Sequence, residues 1–313
     1  MRRARDYAWT AVGFCAVAFS LWLLVDELRG LSPEAVLDGF SAIPLHRWLL
    51  AFASTFVAYA ALAWYDRIGL AHLGHKLPWG FISIVSFTTY ALSHNIGASI
   101  FSGAVVRYRA YSTKGLGAAE VGMLVAFCSF TFILGELLLG GLILALAPEV
   151  VDRWAEFPHW ANRLAGAVML AIVALYAIGS LRHFPPMKMG GFELVYPRPK
   201  ILVRQLLAAP IEIIGAAGII YFTLPAAINP GFVAVLGIFL GSFAVALASY
   251  APGGLGVLEF CFVKGMPDTP TADVLAALIA FRLLYLLIPL AFAIVAVVQF
   301  ERGRLGELWR LRV

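Results

Sequence analysis

The chain has 313 residues, 62% of them hydrophobic and only 13% charged, with a mean hydropathy of +0.88 and a formal net charge of +5. Soluble domains carry about 25% charged residues, so a chain built throughout for water is excluded and lipid is the solvent to reason with. The basic balance, pI near 9.2, does not point to nucleic acid, because membrane proteins gather Lys and Arg in their cytoplasmic loops.

Backbone amides find no partner in hydrocarbon, so a spanning segment is a helix or part of a closed barrel. The apolar runs here continue for about 18–25 residues, the length of a spanning helix. They lack the alternation over about 10 residues that marks a barrel strand. In chain order they cover approximately 7–25, 48–65, 79–101, 119–146, 161–181, 201–224, 232–250 and 272–300. Trp9, Trp48, Tyr65, Trp79, Trp160 and Tyr196 sit at or near their ends, as interfacial aromatics do. The first run follows Met1-Arg2-Arg3-Ala4-Arg5 and has no small-residue cleavage site, so it reads as a retained helix rather than a signal peptide. Cys15, Cys128 and Cys261 are far apart and form neither a disulfide framework nor a metal spacing.

Loop charge orients these runs. If all eight cross with the N-terminus inside, Arg107, Arg109 and Lys114 fall outside, as do Arg182, Lys188, Arg198 and Lys200. Glu149, Asp152 and Glu156 then fall inside, which inverts the positive-inside rule three times. If 79–101 and 232–250 instead enter and leave on one side, every sizeable loop agrees with the rule. The preferred fold is therefore all-α, a polytopic membrane protein with six spanning helices and two re-entrant hairpins. Eight spanning helices is the alternative. Both termini are expected in the cytoplasm, with Arg302, Arg304, Arg310 and Arg312 in the tail.

The two odd runs resemble each other. The stretch from Phe87 to Gly97 aligns with that from Phe243 to Gly253 at an offset of 156 (249 − 93 for Ser249 and Ser93). One membrane domain, 1–313, would thus hold repeat 1 at about 45–147, a connecting helix at about 161–181 and an inverted repeat 2 at about 200–300. Gly/Pro-interrupted hydrophobic segments at matching positions of two halves point to a transporter's midplane site. Pro252 ends a helix, while Gly253, Gly254 and Gly256 permit backbone angles closed to other residues. In the first repeat, Asn95 and Ser99 flank Gly97 and are candidate caps for a half-helix. A half-helix N-terminus at depth favours an anion.

Ionisable residues inside apolar runs are costly and mark function or a partner. Four qualify: Glu136, Glu212, Glu259 and Arg282. Arg282, with Arg107 or Arg109 from the cytoplasmic side, is a candidate for a lipid phosphate because guanidinium stays charged and binds bidentately. The carboxylates would balance the arginines, favour a cationic headgroup or relay protons. Arg107 and Arg109 equally fit as anchors at the headgroups, and Glu259 with Arg282 as an inert ion pair.

The motif Pro252-Gly-Gly-Leu-Gly-Val-Leu-Glu259, and the Ser93-His-Asn-Ile-Gly97 stretch leading to Arg107-Tyr-Arg109, resemble the membrane domain of the multiple peptide resistance factor, the lysylphosphatidylglycerol synthase/flippase family. The resemblance runs from about Tyr7 to Phe300. It implies inner-membrane residence and movement of aminoacylated or related phospholipids between leaflets. The family's synthase chemistry sits in a further soluble domain, so enzyme activity is not expected of these residues. No Walker sequence or Gly-x-Ser-x-Gly elbow is present, and no cofactor or metal is expected. The expected partners are membrane phospholipids and a separate lipid-modifying enzyme; the second reading of function is a membrane scaffold or regulator without transport.

Overall fold

The computed structural model describes residues 33–96, 99–182, 184, 187–189, 192–194, 196–249 and 254–310. The expected first helix, 7–25, together with Gly97, Pro252 and Gly253, lies outside them. In chain order the helices are α1 (Pro33–Ser41), α2 (Leu45–His72), α3 (Trp79–Ile96), α4 (Ser99–Tyr111), α5 (Ala118–Leu146), α6 (His159–Leu181), α7 (Pro199–Thr223), α8 (Phe232–Ala248), α9 (Val257–Gly265), α10 (Thr271–Phe281) and α11 (Ile288–Arg310). A π-helical segment, Arg282–Leu287, joins the last two. The all-α expectation needs one addition: Met187–Met189 pairs antiparallel with Phe192–Leu194.

Among the described residues, five helical segments are long and apolar enough to cross a bilayer: Leu45–His72, Ala118–Leu146, His159–Leu181, Pro199–Thr223 and Thr271–Gln299. A helix of 28 residues extends about 42 Å, more than the hydrocarbon core requires. The chain is a polytopic helical membrane protein. One face of α6 carries Leu164, Val168, Ile172 and Leu175, all exposed and spaced to form one helical stripe. Apolar exposure of this kind suits contact with lipid.

The centre is built on the pairing of α2 with α7. Gly215 permits it: a Cβ there would lie 2.9 Å from the Ala58 nitrogen and 3.0 Å from the Ser54 carbonyl oxygen. Close backbone approach is how membrane helices gain packing energy when lipid removes the hydrophobic drive between them. On the other flank of α7, Gln205 accepts from the Tyr176 hydroxyl at 3.0 Å and donates to Thr131 Oγ1 at 2.9 Å, stitching α5, α6 and α7.

The pairs α3–α4 and α8–α9 are built differently from the five long helices. In each, the chain before the pair meets the chain after it. His75, before α3, contacts Glu120, after α4, at 2.8 Å, and the Lys114 ammonium lies 5.2 Å from the centre of the Phe81 ring. For the second pair, Thr269 Oγ1 donates to the Ile228 carbonyl at 3.4 Å.

Candidate functional site

The site is centred on the π-helical segment. Pro289 has no N–H to give the carbonyl of Tyr285, four residues earlier. The Tyr59 hydroxyl donates to that carbonyl instead, at 2.9 Å. The next carbonyl, of Leu286, accepts from Asn95 Nδ2 at 3.1 Å. A widened turn stabilised by side chains from neighbouring helices is typical of functional positions in membrane helices.

Both helix pairs reach this segment. From the end of α3, Asn95 donates to Ala91 O at 2.7 Å as well as to Leu286, and the His94 ring stacks on Tyr285 with centroids 5.4 Å apart. Asn95 therefore acts at the C-terminal end of α3. From the start of α9, Glu259 meets Arg282, whose Nε lies 2.5 Å from Oε1. The other carboxyl oxygen accepts the Gly256 N–H at 2.8 Å, so one acidic side chain caps α9 and faces the guanidinium. Gly254 and Gly256 have φ of +65° and +78°, a left-handed backbone that side chains resist.

Glu212, on α7, closes the arrangement from the other side. It is 4% exposed and accepts from the Tyr285 hydroxyl at 2.7 Å and from Tyr65 at 3.5 Å. Glu136 lies within electrostatic range of Glu212. Its Oε1 is buried with no hydrogen-bond partner among the described residues. Two carboxylates, Glu212 and Glu259, and the Arg282 guanidinium thus meet at the locally opened helix.

Arg107 and Arg109 are placed elsewhere. Arg107, 4% exposed, is held by Asp66, with Nη2 2.7 Å from Oδ1 and Nε 3.2 Å from both oxygens. Asp66 also accepts from Tyr111 at 2.8 Å, and the guanidinium lies 4.8 Å from the Tyr90 ring centre. This ion pair ties α4 to α2. Arg109 is exposed. Asp66 stands one residue past Tyr65, where the second apolar run ends by composition, and its full burial adds a fifth charge to the four within the apolar runs. Tyr59 carries no sequence signal beyond being aromatic, Tyr65, expected among the interfacial aromatics, is buried against Glu212, and Pro289 lies inside a continuous apolar run.

Residues 10–293 match the family described as the lysylphosphatidylglycerol synthase TM region. The chain belongs to this family. It is 30% identical over 301 residues to the uncharacterized protein slr0712 of Synechocystis, covering 96% of this chain and 94% of that one. It is 32% identical over 261 residues to the inner membrane protein YbhN of Escherichia coli, covering 81% and 80%. The phosphatidylglycerol lysyltransferase of Staphylococcus haemolyticus is 27% identical over 307 residues, 95% of this chain but 34% of the lysyltransferase. The family expected from the Pro252–Glu259 motif is thereby established, and the match to lysyltransferases spans about a third of their length.

Proposed function

We propose that the chain is an ATP-independent translocator of the inner membrane that moves an anionic or aminoacylated phospholipid between leaflets, with α3–α4 and α8–α9 re-entering from opposite faces. The reading rests on one observation: Asn95 and His94 from one hairpin and Glu259 from the other converge on the same π-helical segment, 282–287. The repeat supports it. Adding 156 to the bounds of α3 and α4 gives 235–252 and 255–267, against 232–248 and 257–265 for α8 and α9. The contacts His75–Glu120 and Thr269–Ile228 favour hairpins that return to their own side. The inner-membrane assignment draws on the similarity to YbhN, and the lipid on the family's description.

Chemically, the Arg282 guanidinium is suited to a lipid phosphate that displaces Glu259 from it. The α9 N-terminus adds a partial positive charge. Glu136 and Glu212 suit the ammonium of an aminoacyl headgroup. No step here forms or breaks a covalent bond, and we assign no catalytic role.

A second reading, a scaffold for a separate lipid-modifying enzyme, is favoured by the engagement of Arg107 with Asp66 and of Arg282 with Glu259, which pairs both guanidinium groups within the protein. Reconstitution separates the two. Proteoliposomes holding fluorescent phosphatidylglycerol or its lysyl derivative in the inner leaflet should lose that asymmetry faster than empty liposomes. Glu259→Ala and Arg282→Ala should slow the loss while the protein remains folded. Exchange no faster than in empty liposomes overturns translocation; wild-type exchange in both variants removes those two residues from it.

A further inference from the structure

Two apolar grooves flank α2 on the outside of the bundle. The first, about 530 Å³, lies between α2, α3 and the junction of the π segment with α11, and its wall includes Tyr59, Leu284 and Pro289. The second, about 390 Å³, lies on the opposite flank of α2, against Ile211 of α7. Phe56, Ala60 and Trp79 line both, so the grooves straddle a single ridge. Phe56, Ala60, Ala63 and Arg67 recur at intervals of four, three and four residues, one stripe along the helix. Arg67 stands at its upper end, lining the second groove.

Arg67 is exposed, and its guanidinium lies 4.8 Å from the Trp79 ring centre. It has no carboxylate partner among the described residues. It is five residues short of the end of α2 at His72, about 8 Å along the axis, and Trp64 lies beside it. A cation among tryptophans marks headgroup depth. One guanidinium above two apolar grooves matches the chemistry of a two-chain phospholipid: a phosphate, and two acyl chains leaving it together.

We infer that this face holds one diacyl phospholipid, its phosphate on Arg67 and its chains divided by the Phe56–Ala60 ridge. The inference rests on the translocation reading and deepens it. The wall of the first groove includes Tyr59 and Leu284, which places the bound lipid against the outer side of the π-helical segment, where it would await entry. An arginine that merely anchors the helix at the interface would bind no lipid selectively, and the two grooves would then be ordinary lipid-facing relief.

Native mass spectrometry of the detergent-solubilised full chain tests the site. The probes are dioleoylphosphatidylglycerol, dioleoylglycerol, single-chain lysophosphatidylglycerol and inorganic phosphate. Phosphatidylglycerol should bind wild type at least tenfold more tightly than dioleoylglycerol or the single-chain lipid. Arg67→Gln should abolish the preference over dioleoylglycerol, and Arg67→Lys should keep most of it. Ala60→Phe, which fills both grooves at the ridge, should weaken both two-chain lipids at least tenfold. Equal phosphatidylglycerol binding by wild type and Arg67→Gln overturns the inference. So does displacement of the lipid by millimolar phosphate, which would mean a free-anion site. Binding is read here without exchange, so a failure of leaflet exchange with this selectivity intact refutes translocation alone.

Discussion

Removing the Asp66 carboxylate should destabilise the bundle strongly, because it breaks a buried ion pair. Asp66 is fully buried. It receives Arg107 through Nε and Nη2 and Tyr111 through its hydroxyl, and the Cys128 thiol lies 3.5 Å away. Asp66→Ala leaves a guanidinium at 4% exposure without its counter-charge, a class of change that costs about 3–5 kcal/mol. At about 2–4 °C per kcal/mol, the scaling for domains of 150–250 residues, the melting temperature in detergent should fall by about 6–20 °C. Arg107→Met should cost a similar amount, since it strands the carboxylate instead. The double variant Asp66→Ala/Arg107→Met should lose clearly less than the sum, because neither charge remains to be solvated; double-mutant cycles isolate such a term. The assay is thermal unfolding followed by intrinsic fluorescence, with wild type, both single variants and the double variant in one detergent. A drop below 2 °C for Asp66→Ala, or strictly additive losses, would refute the claim that this pair holds α4 to α2.

Three further outcomes follow from the site. Tyr285→Phe strips Glu212 of its 2.7 Å donor while the 3.5 Å contact from Tyr65 remains; it should cost about 1–3 kcal/mol in thermal stability and Tyr65→Phe distinctly less. Gly254→Leu forces a side chain onto φ +65°, with its Cβ 3.1 Å from Ala246 Cβ, and should cost about 1–2 kcal/mol from backbone strain alone and suppress leaflet exchange. The control Gly80→Leu, which meets nothing within 4 Å, should do neither. In the loop before α6, the Trp154 indole donates to the Cys261 carbonyl at 2.9 Å and packs on Gly241 and Gly265, strapping α8 to α9. Trp154→Ala should raise maleimide labelling of Cys261 about fivefold or more, the factor equivalent to losing one hydrogen bond of about 1 kcal/mol; peptide mass spectrometry reads it, and an unchanged rate would mean the strap does not hold the hairpin.

The long apolar runs were legible because hydrocarbon imposes length and composition together: the runs at 48–65, 119–146, 161–181, 201–224 and 272–300 each coincide with a segment able to cross a bilayer. The motif at Gly254–Glu259 was legible because a positive φ at consecutive near positions demands glycine. What joins the site was not. Glu212 and Tyr285 are 73 residues apart, and Tyr59 and Tyr285 are 226 apart, and a single sequence carries no signal for contact at that range. The π-helical segment was hidden for another reason. Pro289 changes hydropathy little, and the donors that compensate for it, Tyr59 and Asn95, lie on other helices. Glu259 and Arg282 were recognised as intramembrane charges, but their union depends on how α9 packs beside α10. Only the folded chain supplies that. Asp66 escapes because hydropathy drops at the charge itself, while the helix continues to His72.

Side-specific cysteine labelling tests the central geometry most directly, in spheroplasts carrying single cysteines at Lys76, Arg109, Asn229 or Asp268. Hairpins entering from opposite faces require positions 76 and 109 to react only after the membrane is permeabilised. Positions 229 and 268 should react in intact spheroplasts. If either pair divides, one member reacting outside and the other only from within, that segment crosses the membrane. The opposed hairpins then do not exist.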